Sequence, residues 1–126
     1  MPPDRSARAK GSVASGLSAE RMALCALALK GYRPLARRFG GKGGEIDLIV
    51  KRGRTIAFVE VKARIQIDDA VTAITPAKLA LMHRRIGDWR ARNPWAGGCV
   101  LRIDAVFVGK GSWPRHVAAV APLDLL

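Results

Sequence analysis

With 126 residues, 49% of them hydrophobic, the chain has the length of one domain and enough apolar content to bury a core without staples. The 22 Lys and Arg against 10 Asp and Glu leave a formal charge of +12, which makes nucleic acid the first partner to expect, because basic side chains that neutralise phosphates release condensed counterions. A membrane-spanning class is excluded, since no apolar run approaches the ~20 residues of a span, and so is a zinc or disulfide framework, since Cys25 and Cys99 stand far apart with no Cys or His beside them.

Residues 1–15 carry Pro2, Pro3, Arg5, Arg8 and Lys10 with almost nothing to bury, and they are expected to form a disordered basic tail ahead of a single domain over 16–126. They hold no apolar core of a secretory signal, so a cytoplasmic location is expected, with both cysteines as buried thiols. From Leu17 to Lys30 the Ala-, Leu- and Met-rich composition predicts a helix, with Ser18 as its N-cap and Gly31 as its stop. YRPLARRF (32–39) reads as a strand that Pro34 confines to a sheet edge. EIDLIV (45–50) and TIAFVEVKA (55–63) are β-branched runs that predict a hairpin, with Arg52-Gly53 as the tight turn.

Thr75 and Pro76 suit the N-cap and first position of a second helix, which runs to about Asn93, where Pro94 stops it. Its apolar stripe is Leu79, Met82, Ile86 and Trp89. CVLRIDAVFV (99–108) and RHVAAVA (115–121) read as two further strands, the second weaker. The order predicts an α/β domain, a central mixed β-sheet with a helix on each face.

Alternation along the hairpin brings the chemistry into view. With a two-residue turn at Arg52-Gly53, Asp47 falls opposite Phe58 and Glu45 opposite Glu60, so Glu45, Asp47, Glu60 and Lys62 share one side of the sheet. Asp47 and Glu60 are then diagonal neighbours at roughly 7–8 Å, a separation a shared metal ion can bridge. Crowded carboxylates repel, and a divalent cation relieves the repulsion. Hard oxygen ligands in an open site suit Mg²⁺ or Mn²⁺. Lys62 places an ammonium where it can orient a water, and phosphodiester hydrolysis is the reaction this set suits. Without Asp47, the E-x-K pattern would read as an ordinary cross-strand ion pair.

GEIDLIV followed by AFVEVKAR resembles the signature of the YraN-like family of small bacterial proteins. That family is similar to Holliday-junction resolvases and belongs with the PD-(D/E)-x-K, restriction-endonuclease-like superfamily. The resemblance covers about residues 17 to 108 and also takes in a Glu in the first helix, the A-V-T-x-I-x-x-x-K stretch and a late R-x-D. It implies a restriction-endonuclease-like core in αβββαβ order and a Mg²⁺-dependent nuclease, with Asp47, Glu60 and Lys62 as its catalytic set. Asp47 and Glu60 would be metal ligands, and Glu20 would complete the metal site. The Pro of the superfamily motif is Ile46 here, which leaves the carboxylate in place.

Arg64, which closes AFVEVKAR, and Lys78 are the candidate nucleic-acid-binding residues. Lys78 lies in the first turn of a helix, where a positive charge is mildly unfavourable unless an anion such as a phosphate compensates it. Glu20 suits the helix macrodipole as well as a metal. Asp104, inside a buried strand, needs a partner, and Arg102 on the same face is the simplest one. Two other classes remain open: an inactive nucleic-acid-binding module of the same fold, and an interaction protein with an acidic partner. Resolvase-like enzymes act in pairs, so a homodimer is expected from the resemblance.

Overall fold

The computed structural model describes residues 18–41, 45–63, 74–109 and 111–123. The expected basic tail, Arg64 and the loop that follows it lie outside these residues. Helix α1 covers 18–29, and strands β1 (Arg33–Phe39), β2 (Ile46–Arg52) and β3 (Thr55–Lys62) follow. After helix α2 (Pro76–Arg92) comes a 3-10 turn (Pro94–Gly98), then strands β4 (Val100–Phe107) and β5 (Arg115–Ala121). The five strands form one sheet in the order β1-β2-β3-β4-β5. Only β3 and β4 run parallel; the other neighbours are antiparallel. This is the expected α/β class, a mixed sheet with a helix on each face, consistent with a restriction-endonuclease-like core.

Local chemistry sets the ends of the helices. Gly31, at φ 94°, terminates α1, while the Tyr32 amide donates back to the Leu27 carbonyl. The Thr75 hydroxyl accepts from the Lys78 amide and Pro76 opens α2, so the orphan donors of the first turn are met as the sequence indicates. One face of the sheet (Leu48, Val50, Ala57, Val59, Val106) packs on Ala19, Ala23 and Leu27 of α1. The other (Ile49, Ile56, Phe58, Ile103) packs on Met82, Ile86 and Trp89 of α2. Among the described residues no helix is long and apolar enough to cross a membrane.

The hairpin differs from expectation in two respects. Its turn is Gly53-Arg54, with Arg52 opposite Thr55 and Ile49 opposite Phe58, because Gly53 takes the left-handed conformation (φ 60°) as first turn residue. The register therefore moves by two residues, which leaves every face unchanged. Alternation also breaks at the start of β2, where Ile46 joins Ile49 and Phe58 in the α2-side core instead of following Leu48 and Val50. Cys25, expected inside, is exposed on the outer side of α1, and Cys99 is half-buried.

Candidate active site

The site lies where β2 begins and β3 ends. β3 is hydrogen-bonded on both sides, so Glu60 near its end is drawn into the interior at 6% exposure. Two ammonium groups meet it there. Lys62 Nζ lies 3.5 Å from Glu60 Oε1, and Lys78 Nζ, reaching in from the first turn of α2, lies 3.2 Å from Oε2. Lys78 also donates to the Glu45 carbonyl at 3.2 Å. The contact of Lys78 with Oε2 has the distance of an ion pair without the direction of a hydrogen bond. Oε2 is the one buried side-chain oxygen or nitrogen among the described residues left without a hydrogen-bond partner.

Pairing of β2 with β3 stops at Leu48 opposite Val59. The next pair in that register would be Asp47 and Glu60, directly opposite each other instead of diagonal. Here the strands part, and Asp47 Oδ2 accepts from the Val61 amide at 2.8 Å. Burial and the nearby Glu60 push the Asp47 carboxyl up to about 6, with Glu20 adding to the rise while the Val61 amide and Lys78 oppose it. A carboxyl near 6 at neutral pH is an ionised group held at a cost, which a cation can lower.

Glu20 of α1 is close enough to Asp47 to act on it electrostatically, and its Oε1 is held by Arg38 Nε at 3.1 Å. The candidates thus separate into a tight group of Asp47, Glu60, Lys62 and Lys78, a flanking Glu20–Arg38 pair, and Arg64 outside the described residues. Lys78, expected to face a phosphate, is engaged with Glu60 and the Glu45 carbonyl. Arg38 has no counterpart in the sequence reading, and the only hint of it is its place in β1 across from the acidic start of β2.

Among the described residues, no group of three or more His, Cys, Asp or Glu side chains stands ready to hold a metal ion. Asp47 and Glu60 supply two carboxylates, a number through which Mg²⁺ or Mn²⁺ can be held while waters or substrate oxygens fill the remaining positions. The orphaned Glu60 Oε2 beside the raised Asp47 is the donor pair such an ion would need.

A second buried acid, Asp104, lies on β4 with no exposure at all. Arg102 grips it with Nε to Oδ1 and Nη2 to Oδ2, both at 2.8 Å. His116 Nε2 lies 2.7 Å from Oδ2, and the Ala119 amide donates to Oδ1 at 3.0 Å. Arg102 also donates to the Tyr32 hydroxyl at 2.6 Å. Burial alone would raise the Asp104 pKa, yet the hydrogen bonds from His116, Arg102 and Ala119 outweigh it and hold the group at about 2. Arg102 was expected as its partner; His116, Tyr32 and Ala119 were not.

The fold and this grouping describe an α/β domain of restriction-endonuclease-like build, with two acids and two lysines at the parting of its central strands. The chain belongs to the uncharacterised protein family UPF0102, whose model matches residues 19–108. It is 60% identical to a UPF0102 protein of Methylorubrum extorquens over 116 residues, covering 92% of this chain and 91% of that relative. A UPF0102 protein of Methylorubrum populi is 57% identical over 92% of this chain and 93% of its own length. One of Methylobacterium nodulans is 52% identical over 93% and 91%. The family agrees with the YraN-like resemblance of the two hairpin segments.

Proposed function

We propose that this protein is a Mg²⁺- or Mn²⁺-dependent nuclease that hydrolyses phosphodiester bonds, acting on DNA with selectivity for structure over base sequence. The observation that carries the reading is the pair of carboxylates at the β2–β3 parting. One is raised to about 6 and the other has a buried oxygen without a hydrogen bond, and two lysines stand against them. Asp47 and Glu60 would hold the ion, with the charge of Glu20 acting on Asp47 from α1. When bound, the ion supplies neutralisation of charge on the phosphoryl oxygens and acidifies an attached water.

The chain's own groups do the rest. Lys62 donates a hydrogen bond that orients water beside Glu60 and offsets negative charge growing at the attacked phosphate. Lys78 steadies Glu60 from the α2 side and adds a second positive charge at the floor of the site. The net charge of +12 draws a polyanion toward the domain. Cutting two strands together would use two copies of the chain, one site each.

Mn²⁺ titration by calorimetry of the wild type, Asp47→Asn and Glu60→Gln, with cleavage of branched and linear DNA in parallel, tests this. The reading expects binding and metal-dependent cleavage in the wild type and loss of both in each variant. Unchanged Mn²⁺ affinity in the variants removes the metal site. Metal binding with no cleavage of any DNA leaves a nucleic-acid-binding module.

A further inference from the structure

Arg38 lies in β1 with φ 51°, a left-handed backbone in a residue other than glycine. The register on either side, Arg37 opposite Leu48 and Phe39 opposite Ile46, sets it across from Asp47. The alternation of faces breaks in both strands here: Leu48 belongs to the α1-side core but Ile46, two residues away, to the α2 side, and Ala36 and Phe39, three residues apart, both pack on the α2 side. The turned backbone delivers the guanidinium to Glu20, Nε to Oε1, while 45% of the Arg38 side chain remains exposed. Left-handed residues other than glycine persist only where their surroundings hold them, and they gather at ligand clamps and active sites.

We infer that Arg38 is a phosphate-contacting residue that latches Glu20 in the free protein and exchanges it for a backbone phosphate when nucleic acid arrives. The inference rests on the nuclease reading above and adds to it a link between substrate and metal. A phosphodiester is the better partner, because a guanidinium meets two phosphate oxygens through parallel N–H donors, whereas Glu20 is met through Nε alone. Glu20, once released, is a further negative charge within electrostatic reach of Asp47 and raises the affinity for a divalent cation. Nucleic acid and metal then each favour the binding of the other, by the same factor. The contact is to the backbone, so it is blind to base sequence.

Two titrations on Arg38→Gly test the latch, a variant expected to fold because glycine is at home at this φ. Binding of a DNA duplex in EDTA, followed against salt, should lose about one from its log–log slope in Arg38→Gly and keep it in Arg38→Lys. Mn²⁺ affinity without DNA should tighten about two- to fivefold in Arg38→Gly, the worth of one exposed ion pair. That gain should vanish in Glu20→Gln/Arg38→Gly. An unchanged salt slope, or tightening that survives in the Glu20→Gln background, overturns the latch. If Asp47→Asn and Glu60→Gln bind Mn²⁺ like the wild type, the nuclease reading itself fails. If they lose Mn²⁺ while Arg38→Gly behaves as wild type, only the latch does.

Discussion

Asp104 and the Asp47–Glu60 pair are both acids drawn into the same sheet, and the chain treats them in opposite ways. Asp104 receives donors on both oxygens, from Arg102, His116 and the Ala119 amide, and its pKa falls to about 2. Asp47 has the Val61 amide and a like charge beside it, and its pKa rises to about 6; Glu60 keeps an oxygen with no hydrogen bond. A buried carboxylate with all its hydrogen bonds made stabilises the fold, whereas one left short of donors stores free energy that a ligand can release. The first is a fastening between β4, β5 and the end of α1. The second is the pair proposed above to receive a cation.

The sharpest way to break this comparison is to remove the fastening. Asp104→Ala should cost about 3–5 kcal/mol, because it strands Arg102 and His116 and leaves the left-handed Ala119 without its acceptor. Thermal denaturation at neutral pH reads this as a fall of the order of 10 °C or more. A variant that melts within a degree or two of wild type removes the structural role assigned here to Asp104.

Asp47→Asn should do the reverse. The folded-state pKa of Asp47 is raised, so the native state binds the extra proton and stability falls as pH climbs from about 4 through about 6. At pH 8 without metal, Asp47→Asn should therefore be more stable than wild type, on the order of 2 kcal/mol after allowance for partial exposure. At pH 4 the difference should be near zero, and saturating Mg²⁺ should restore the wild type at pH 8. Denaturant melts at the two pH values check it; a destabilised variant at pH 8 contradicts the raised carboxyl.

Smaller effects separate the two centres further. His116→Gln removes one donor to Asp104 and should cost about 1 kcal/mol. It should also make the acid-induced loss of stability between about pH 4 and pH 2 shallower, because the Asp104 pKa moves back toward its unfolded value and less stability remains to be lost in that window. Lys78→Met removes a charge that lowers the Asp47 pKa, so the fall in stability with rising pH should extend to higher pH. Melts of each variant across the pH range read both shifts.

Much of this was legible in the sequence, for identifiable reasons. Caps and stops written in single residues (Gly31, Thr75, Pro76, Pro94) located the helices. The hairpin faces survived a wrong turn because its error was two residues, and side chains in a strand repeat every two. The break in alternation at Ile46 was not legible: it accompanies the positive φ of Arg38 on the partner strand, a conformation that an arginine does not announce. His116 and Tyr32 were missed for a different reason. They reach Asp104 and Arg102 from segments distant in the chain, and only the assembled sheet, with β5 beside β4 and the end of α1 against it, puts them in contact.

The most direct test of the central claim is a carboxyl-carbon NMR titration of Asp47, with and without saturating Mg²⁺. The account predicts a midpoint near 6 in the metal-free protein and a marked fall when Mg²⁺ is present, as the ion takes the charge that Glu60 repels. An Asp47 that titrates near 4 and does not respond to Mg²⁺ would contradict the assignment of the β2–β3 parting as a divalent-cation site.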